Sequence, residues 1–274
     1  MTTLLRLEAP AKLNLSLTVV DRRDDGYHLL DGTMVLLEVA DRLLLLPGCS
    51  GLRVEGEGSE QIPLDTTNLA WRGLVAGLGA EPELVCLTLD KRVPSAAGMG
   101  GGSSDAGAAW RLARRWRGLS EAPAAGELAE LAAIGADVPF FAAQQAAARV
   151  MGIGERITPL PPSPSHVVLV HPPFGLSTAA VFAELRADEW GRAVNDLLAP
   201  ALRLRPELAD VMRAVADAGG EPRITGSGPT IFAMCDDPER ADALVASMSA
   251  RDLRTTRTHT RLAAASIESI SEED

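Results

Sequence analysis

Glycine, hydroxyl and acidic side chains crowd into one short stretch, Lys91-Arg92-Val93-Pro94-Ser95-Ala96-Ala97-Gly98-Met99-Gly100-Gly101-Gly102-Ser103-Ser104-Asp105. Gly100, Gly101 and Gly102 place no side chain between the backbone N–H groups and whatever docks there. Residues 83–89 before the loop alternate like a strand, and Ala106, Ala109, Trp110 and Ala113 after it share one face of a helix over 106–116. The loop therefore empties into a helix N-terminus, where unpaired N–H groups and the positive end of the helix dipole favour a phosphate chain. Ser103, Ser104 and Asp105 fit as capping residues at that entry. The competing explanation is a flexible loop that needs glycine only for tight turning. Two familiar phosphate loops do not match: there is no Gly-Lys-Ser/Thr ending, and Gly98-x-Gly100-x-x-Ser103 lacks the third glycine of the dinucleotide fingerprint.

The remaining chemistry-bearing residues depend on the elements that would position them. Only two of the 26 basic residues are lysines, Lys12 and Lys91, and a compact ammonium differs from a guanidinium in size and reach. Residues 4–20 alternate as a strand pair, with Leu5, Leu7, Leu13, Leu15, Leu17 and Val19 on one face. Lys12, Asn14 and Ser16 share the other, which on periodicity alone is a solvated face. Asp24-Asp25-Gly26 forms a turn into Tyr27, the only tyrosine, and His28, a pair that also serves plain packing. An apolar strand over 34–46 is broken at Asp41-Arg42, and a Gly- and Glu-rich loop to Pro63 carries no assigned chemistry. Thr66-Thr67-Asn68 opens a helix with Asn68 available as cap. A helix over 126–134 stops at Gly135, and Asp137, ahead of an early-position proline, suits an N-cap. Ser177-Thr178 caps a helix holding Phe182, residues 206–218 read as another helix, and Arg223 to Phe232 as a glycine-rich hairpin. The tail, with Glu268, Glu272, Glu273 and Asp274, reads as solvated or frayed.

Composition narrows the partners. A length of 274 residues with 46% hydrophobic and 23% charged residues suits a globular protein of two domains. No apolar run is long enough to span a membrane, and no basic-then-apolar leader is seen, so a cytoplasmic protein is expected. A net charge of −11 argues against nucleic acid, since a polyanion needs a basic face. Cys49, Cys86 and Cys235 are odd in number and lack Cys-x-x-Cys spacing, so they are expected as free thiols, and the four histidines form no metal-ligand pair. Pro159-Leu160-Pro161-Pro162-Ser163-Pro164 is a stiff linker, giving an N-terminal domain 1–158, a linker 159–165 and a C-terminal domain 166–274.

Residues 94–104 resemble the Pro-x-x-x-Gly-Leu-Gly-Ser-Ser motif of the GHMP kinases, which phosphorylate small metabolites, with Met99 in place of leucine. Ala9-Pro10-Ala11-Lys12-Leu13-Asn14, Gly135-Ala136-Asp137-Val138-Pro139 and Thr225-Gly226-Ser227-Gly228-Pro229 resemble the family's other motifs, with Thr225 replacing the more usual serine. Asp25-Gly26-Tyr27-His28 resembles one branch, whose small-molecule substrate carries a cytidine diphosphate group. The resemblance departs at Gln144-Gln145, where a glycine is usual. It implies an α+β two-domain fold, with a first domain like ribosomal protein S5 domain 2, a ferredoxin-like second domain, and a state of monomer or weak homodimer. It implies ATP held by Asn68 and Lys91 at the adenine end, by Pro94, Ser95, Ala96, Ala97, Gly98, Met99, Gly100, Gly101, Gly102, Ser103 and Ser104 at the phosphates, and by Gly226, Ser227 and Gly228 closing over them. Mg²⁺ would sit on the phosphates through Ser104 or water, without a protein cage. Lys12 and Asp137 would be catalytic, with Asn14, Tyr27, His28, Asp137, Thr178 and Phe182 around the substrate, Tyr27 and Phe182 on opposite faces of the cytosine.

Overall fold

The computed structural model describes residues 3–56 and 58–271. Its frame is a pair of long antiparallel strands, β1 (Thr3–Arg22) and β2 (His28–Pro47). The strand pair expected over 4–20 is one strand. Its alternation is reset by register shifts between Pro10 and Lys12, Asn14 and Ser16, and Val19 and Asp21, so bulges bend the strand where a turn would have ended it. β2 likewise runs unbroken through Asp41, because that carboxylate is buried and fully paired and does not seek water. The loop to Pro63 contains β3 (Gly51–Gly56), which pairs in parallel with β4 (Val85–Lys91).

β2 is long enough to carry two neighbours. Arg42 to Pro47 pair with β4, and Leu30 to Val35 pair with β5 (Ala147–Gly152), which continues to β6 (Arg156–Pro159). Helices α1 (Leu69–Leu78), α2 (Gly101–Trp116), α3 (Ala125–Ile134) and α4 (Val138–Ala142) belong to this half, and Leu7, Leu43, Leu45, Leu74, Leu87 and Leu112 form its core. The second sheet has the order β10-β7-β9-β8, built from β7 (His166–His171), β8 (Arg223–Ile224), β9 (Ile231–Cys235) and β10 (Arg254–His259). It is covered by α5 (Thr178–Glu184), α6 (Leu198–Leu204), α7 (Leu208–Asp217) and α8 (Pro238–Ser249) around Val168, Val170, Leu208, Val215 and Ile231. A third cluster, with Leu13, Leu37, Met99, Val167, Leu169 and Phe232, joins the two sheets. The fold is α+β.

The chain's last described strand, β11 (Glu268–Ser271), returns to pair with β1, and Arg6 bonds Glu268. Residues 268–271 therefore extend the first sheet, unlike the frayed tail expected there, because the apolar edge of β1 offers unpaired backbone groups. They also depart from the expected assignment of all of 166–274 to the second unit. Glu272, Glu273 and Asp274 lie outside the described residues. Cys49 and Cys86, expected as free thiols, are joined as a disulfide with Cα atoms 5.3 Å apart, while Cys235 is free. A separation of 37 residues hides that proximity from spacing alone.

Candidate active site

The glycine-rich loop meets α2 as expected, but glycine does the capping. Gly100 is the N-cap with a left-handed backbone (φ 72°), and Ser103, Ser104 and Asp105 lie inside the helix. A Cβ on Gly98 would stand 2.4 Å from the Thr225 carbonyl, and one on Gly100 only 3.0 Å from the Phe141 ring, both at positive φ. Only glycine lets the loop lie this close to the hairpin and to α4. The Ser104 hydroxyl, expected beside Mg²⁺, donates to the Pro10 carbonyl (2.7 Å) at 1% exposure. It fastens α2 to β1 and faces away from the cleft; Ser103 lines the cleft in its place.

Lys91 is buried and its ammonium bonds both Asp41 and Asp105 (2.6 Å). Asp41 also accepts from the backbone N–H groups of Arg92 (2.5 Å) and Val93 (2.8 Å), which pins the stem of the glycine loop. Burial works to lower the Lys91 pKa, but the two carboxylates raise it above the ordinary lysine value. Burial likewise pushes the Asp105 carboxyl up to about 7 against the pull of Lys91, with Asp41 adding to the push. The lysine thus lines the cleft while its charge is spent on anchoring the loop. Asn68 caps α1 with Oδ1 (2.8 Å from Ala70 N) and donates Nδ2 to the Pro63 carbonyl, leaving Leu69 as the cleft-lining residue. Its amide thus serves the helix cap and the Pro63 carbonyl, which engages Oδ1 and one of the two Nδ2–H donors. Sequence reasoning missed Asp41. An aspartate inside an apolar strand, in a chain with a second lysine to spare, was its signal.

Lys12 and Asp137 come together although 125 positions apart in the chain, with Nζ and Oδ2 3.4 Å apart. Asp137 opens α4 yet makes no capping bond, so the cap does not explain its side chain. The Lys12 ammonium also bonds Asn14 Oδ1, and the Lys12 N–H donates to the Met99 carbonyl (3.0 Å), tying β1 to the glycine loop. The face of β1 that periodicity alone would leave solvated is in fact closed: Lys12 is 3% exposed and Asn14 2%. The Asn14 N–H donates to Thr225 Oγ1, which in turn donates to the Gly98 carbonyl (3.3 Å). Gly154 presses the β5–β6 turn against this centre, since a Cβ there would stand 1.8 Å from the Ala136 carbonyl.

These groups line one cleft of about 840 Å³. The glycine loop contributes Pro94, Ser95, Ala96, Ala97, Gly98, Met99, Gly100, Gly101, Gly102 and Ser103 to the lining, with Gly226 and Ser227 of the hairpin. Lys12, Asn14 and Asp137 line the same cleft, Lys12 close to Gly100 and Gly226, and so do Asp25, Tyr27, His28, Thr178 and Phe182. Gly228 lies behind the wall, with its carbonyl packed against Gly98. Ser227 and Thr178 share a hydroxyl hydrogen bond of 2.9 Å that ties the hairpin to the start of α5. Tyr27 is 61% exposed, while the Phe182 ring stacks on His28 at 5.3 Å between centroids. Burial, then the nearby Arg22 charge, lowers the His28 pKa, so the imidazole is neutral at pH 7 with one donor and one acceptor nitrogen.

A glycine-rich loop at a helix start, with a Lys–Asp pair and polar and aromatic side chains in the same cleft, is the arrangement a small-molecule phosphotransferase needs. Family models for the GHMP kinases N terminal domain and the GHMP kinases C terminal match residues 68–145 and 179–252. The chain belongs to the GHMP kinase family, and ATP is its phosphoryl donor. It is 39% identical to the 4-diphosphocytidyl-2-C-methyl-D-erythritol kinase of Granulibacter bethesdensis over 263 residues, 85% of this chain and 86% of the relative. It is 39% identical to the enzyme of that name from Nocardia farcinica over 287 residues, covering 91% and 92%. A crystal structure of a 4-(cytidine 5'-diphospho)-2C-methyl-D-erythritol kinase matches with a TM-score of 0.74 at 32% identity, over 93% of this chain and 98% of that one.

Proposed function

We propose that this kinase transfers the γ-phosphoryl group of ATP to the 2-hydroxyl of 4-diphosphocytidyl-2-C-methyl-D-erythritol, a step toward isoprenoid precursors. The observation that carries this reading is the Lys12–Asp137 pair lining one cleft together with the glycine loop and with Tyr27, His28 and Phe182. The relatives' names, which specify a cytidylyl substrate, support it.

Phosphoryl transfer requires alignment of the two oxygens and neutralisation of spreading charge more than covalent chemistry. The backbone N–H groups at the start of α2 would bind the β- and γ-phosphates. Asp137 would orient the substrate hydroxyl and take its proton, and Lys12 would offset the charge that collects between hydroxyl and phosphate. Thr225 ties the hairpin to Asn14 and to the Gly98 carbonyl, which would keep the loop that binds the phosphates in register with Lys12. A Mg²⁺ arriving with ATP would be held chiefly by phosphate oxygens and water, and Ser103 and Asp137, which line the cleft, are the oxygen-bearing side chains that would serve it. That ion would supply charge neutralisation on the phosphates. Tyr27 and Phe182 would supply stacking surface for the base, and neutral His28 would read its polar edge.

The test is substrate-dependent ADP release across a panel of the cytidylyl polyol, homoserine and mevalonate. Activity confined to the cytidylyl compound is expected. Turnover of another member of the panel, with none on the cytidylyl compound, sinks the assignment.

A further inference from the structure

The segment 186–197 between α5 and α6 reaches the cleft only at its end, where Asn195 holds the Gly226 carbonyl and Leu197 joins the lining, yet it is also fastened on both sides of Trp190. On one side, Arg203 of α6 grips Glu189 with two bonds (2.5 and 2.9 Å), and Glu189 accepts from the Arg186 N–H (3.0 Å). On the other, Asp196 accepts from the N–H groups of Gly191 (2.7 Å), Ala193 (3.0 Å) and, on β1, Val19 (2.8 Å). The strap holds the Trp190 ring edge-on to His28, 5.8 Å between centroids at 88°, while Phe182 covers the flat face of the imidazole. The Trp190 indole N–H is buried without an acceptor among the described residues. An unpaired buried donor costs stability, so simple packing would favour leucine or phenylalanine there.

The torsion that turns a histidine ring is broad, with no deep well of its own, so a ring that must aim a nitrogen along a base edge needs an external stop. We infer that Trp190 is a positioning residue for substrate selection: it fixes the plane of His28, so that the imidazole hydrogen bonds distinguish a cytosine from a uracil. The inference rests on the cytidylyl reading of the cleft. It assigns selectivity to a residue outside the cleft lining and leaves the Lys12–Asp137 chemistry untouched. A site that reads a polar edge rejects the wrong partner only while its groups stay aimed, because discrimination comes from leaving them unpaired.

Trp190→Leu and Trp190→Phe are assayed with the cytidylyl substrate, its uridylyl counterpart and ATP, alongside melting temperatures. Trp190→Leu is expected to narrow the preference for cytidylyl over uridylyl substrate by about ten-fold through KM, with kcat and the KM for ATP held. Trp190→Phe keeps a ring in the gap but not the indole edge, and is expected to lose preference by about three-fold, which keeps the test alive if the leucine variant fails to fold. Wild-type preference in a stable phenylalanine variant, or parallel losses on both nucleotides and ATP with a lowered melting temperature, overturns the positioning role. If wild type shows no ADP release with the cytidylyl substrate, the substrate assignment falls first and takes this inference with it.

Discussion

Two carboxylates face the Lys91 ammonium, and their surroundings make them unequal. Asp41 satisfies two backbone N–H groups as well as the lysine, whereas Asp105 accepts only from the lysine and leaves Oδ1 unpaired. Asp41→Ala is therefore expected to cost about 3–5 kcal/mol in urea unfolding at pH 7, and Asp105→Asn only about 1 kcal/mol or less. The pH dependence follows from the raised Asp105 pKa, about 7 in the fold against 3.8 for the free side chain. The folded state holds that proton more tightly, so this group's contribution is fully present below pH 3.8 and is lost as pH rises through 7. Asp105→Asn should flatten stability across that window; a slope identical to wild type would refute the assignment. Asp137 belongs to chemistry at the same scale, since its carboxylate faces Lys12 and makes no helix cap. Asp137→Asn is expected to lower kcat by about 10²-fold or more with the melting temperature and ATP affinity retained. Near-normal turnover in that variant would leave Asp137 with no role in proton handling.

At the scale of elements, the turn from α4 into β5 carries a visible strain. Gln144 has φ 58°, in the Gln144-Gln145 stretch where the sequence departs from the motif it otherwise resembles, and its side chain gains only a 3.4 Å contact from Arg111. A left-handed backbone costs a side-chain-bearing residue about 1–2 kcal/mol, part of which glycine gives back through its larger unfolded-state entropy. Gln144→Gly is expected to stabilise the protein by about 0.5–1 kcal/mol, raising the melting temperature by about 1–3 °C. A fall in melting temperature would show that the Arg111 contact outweighs the strain. The same turn-building logic explains Gly100, whose positive φ starts α2 at the cleft wall.

The whole molecule is held as one piece by groups that cross between its halves. Leu17 of β1 exchanges backbone bonds with Val194 and Asp196, the Asp196 carboxylate reaches Val19, and Leu13 packs with Val167 and Phe232. The Glu189–Arg203 ion pair secures the strap beside this seam, and Arg203 holds the Glu189 pKa down to about 2, from 4.5. A depressed acid pKa contributes stability above pH 4.5 that is lost as pH falls through 2. Glu189→Gln should thus lower the melting temperature at pH 6 but not at pH 2, and an equal deficit at both would refute the pairing argument.

Much of this was open to a reader of the sequence, because it depends on neighbours along the chain. The glycine loop between a strand and a helix, the caps at Asn68 and Ser177, and the helices near 126–134 and 206–218 follow from local sterics and backbone hydrogen bonding. Motif likeness further joined Lys12, Asp137 and the Gly226 loop to one family. Tertiary structure decided what those residues touch. Alternation marked Lys12 and Asn14 as a polar face but not as a buried one, since burial depends on the hairpin at Thr225 folding back across more than 200 positions. The turning of Ser104 toward Pro10 depends on where a helix lands, as do the gathering of Asp41 and Asp105 around Lys91 and the meeting of Cys49 with Cys86. Periodicity reports which way a side chain points from its own strand or helix; only packing settles what stands opposite.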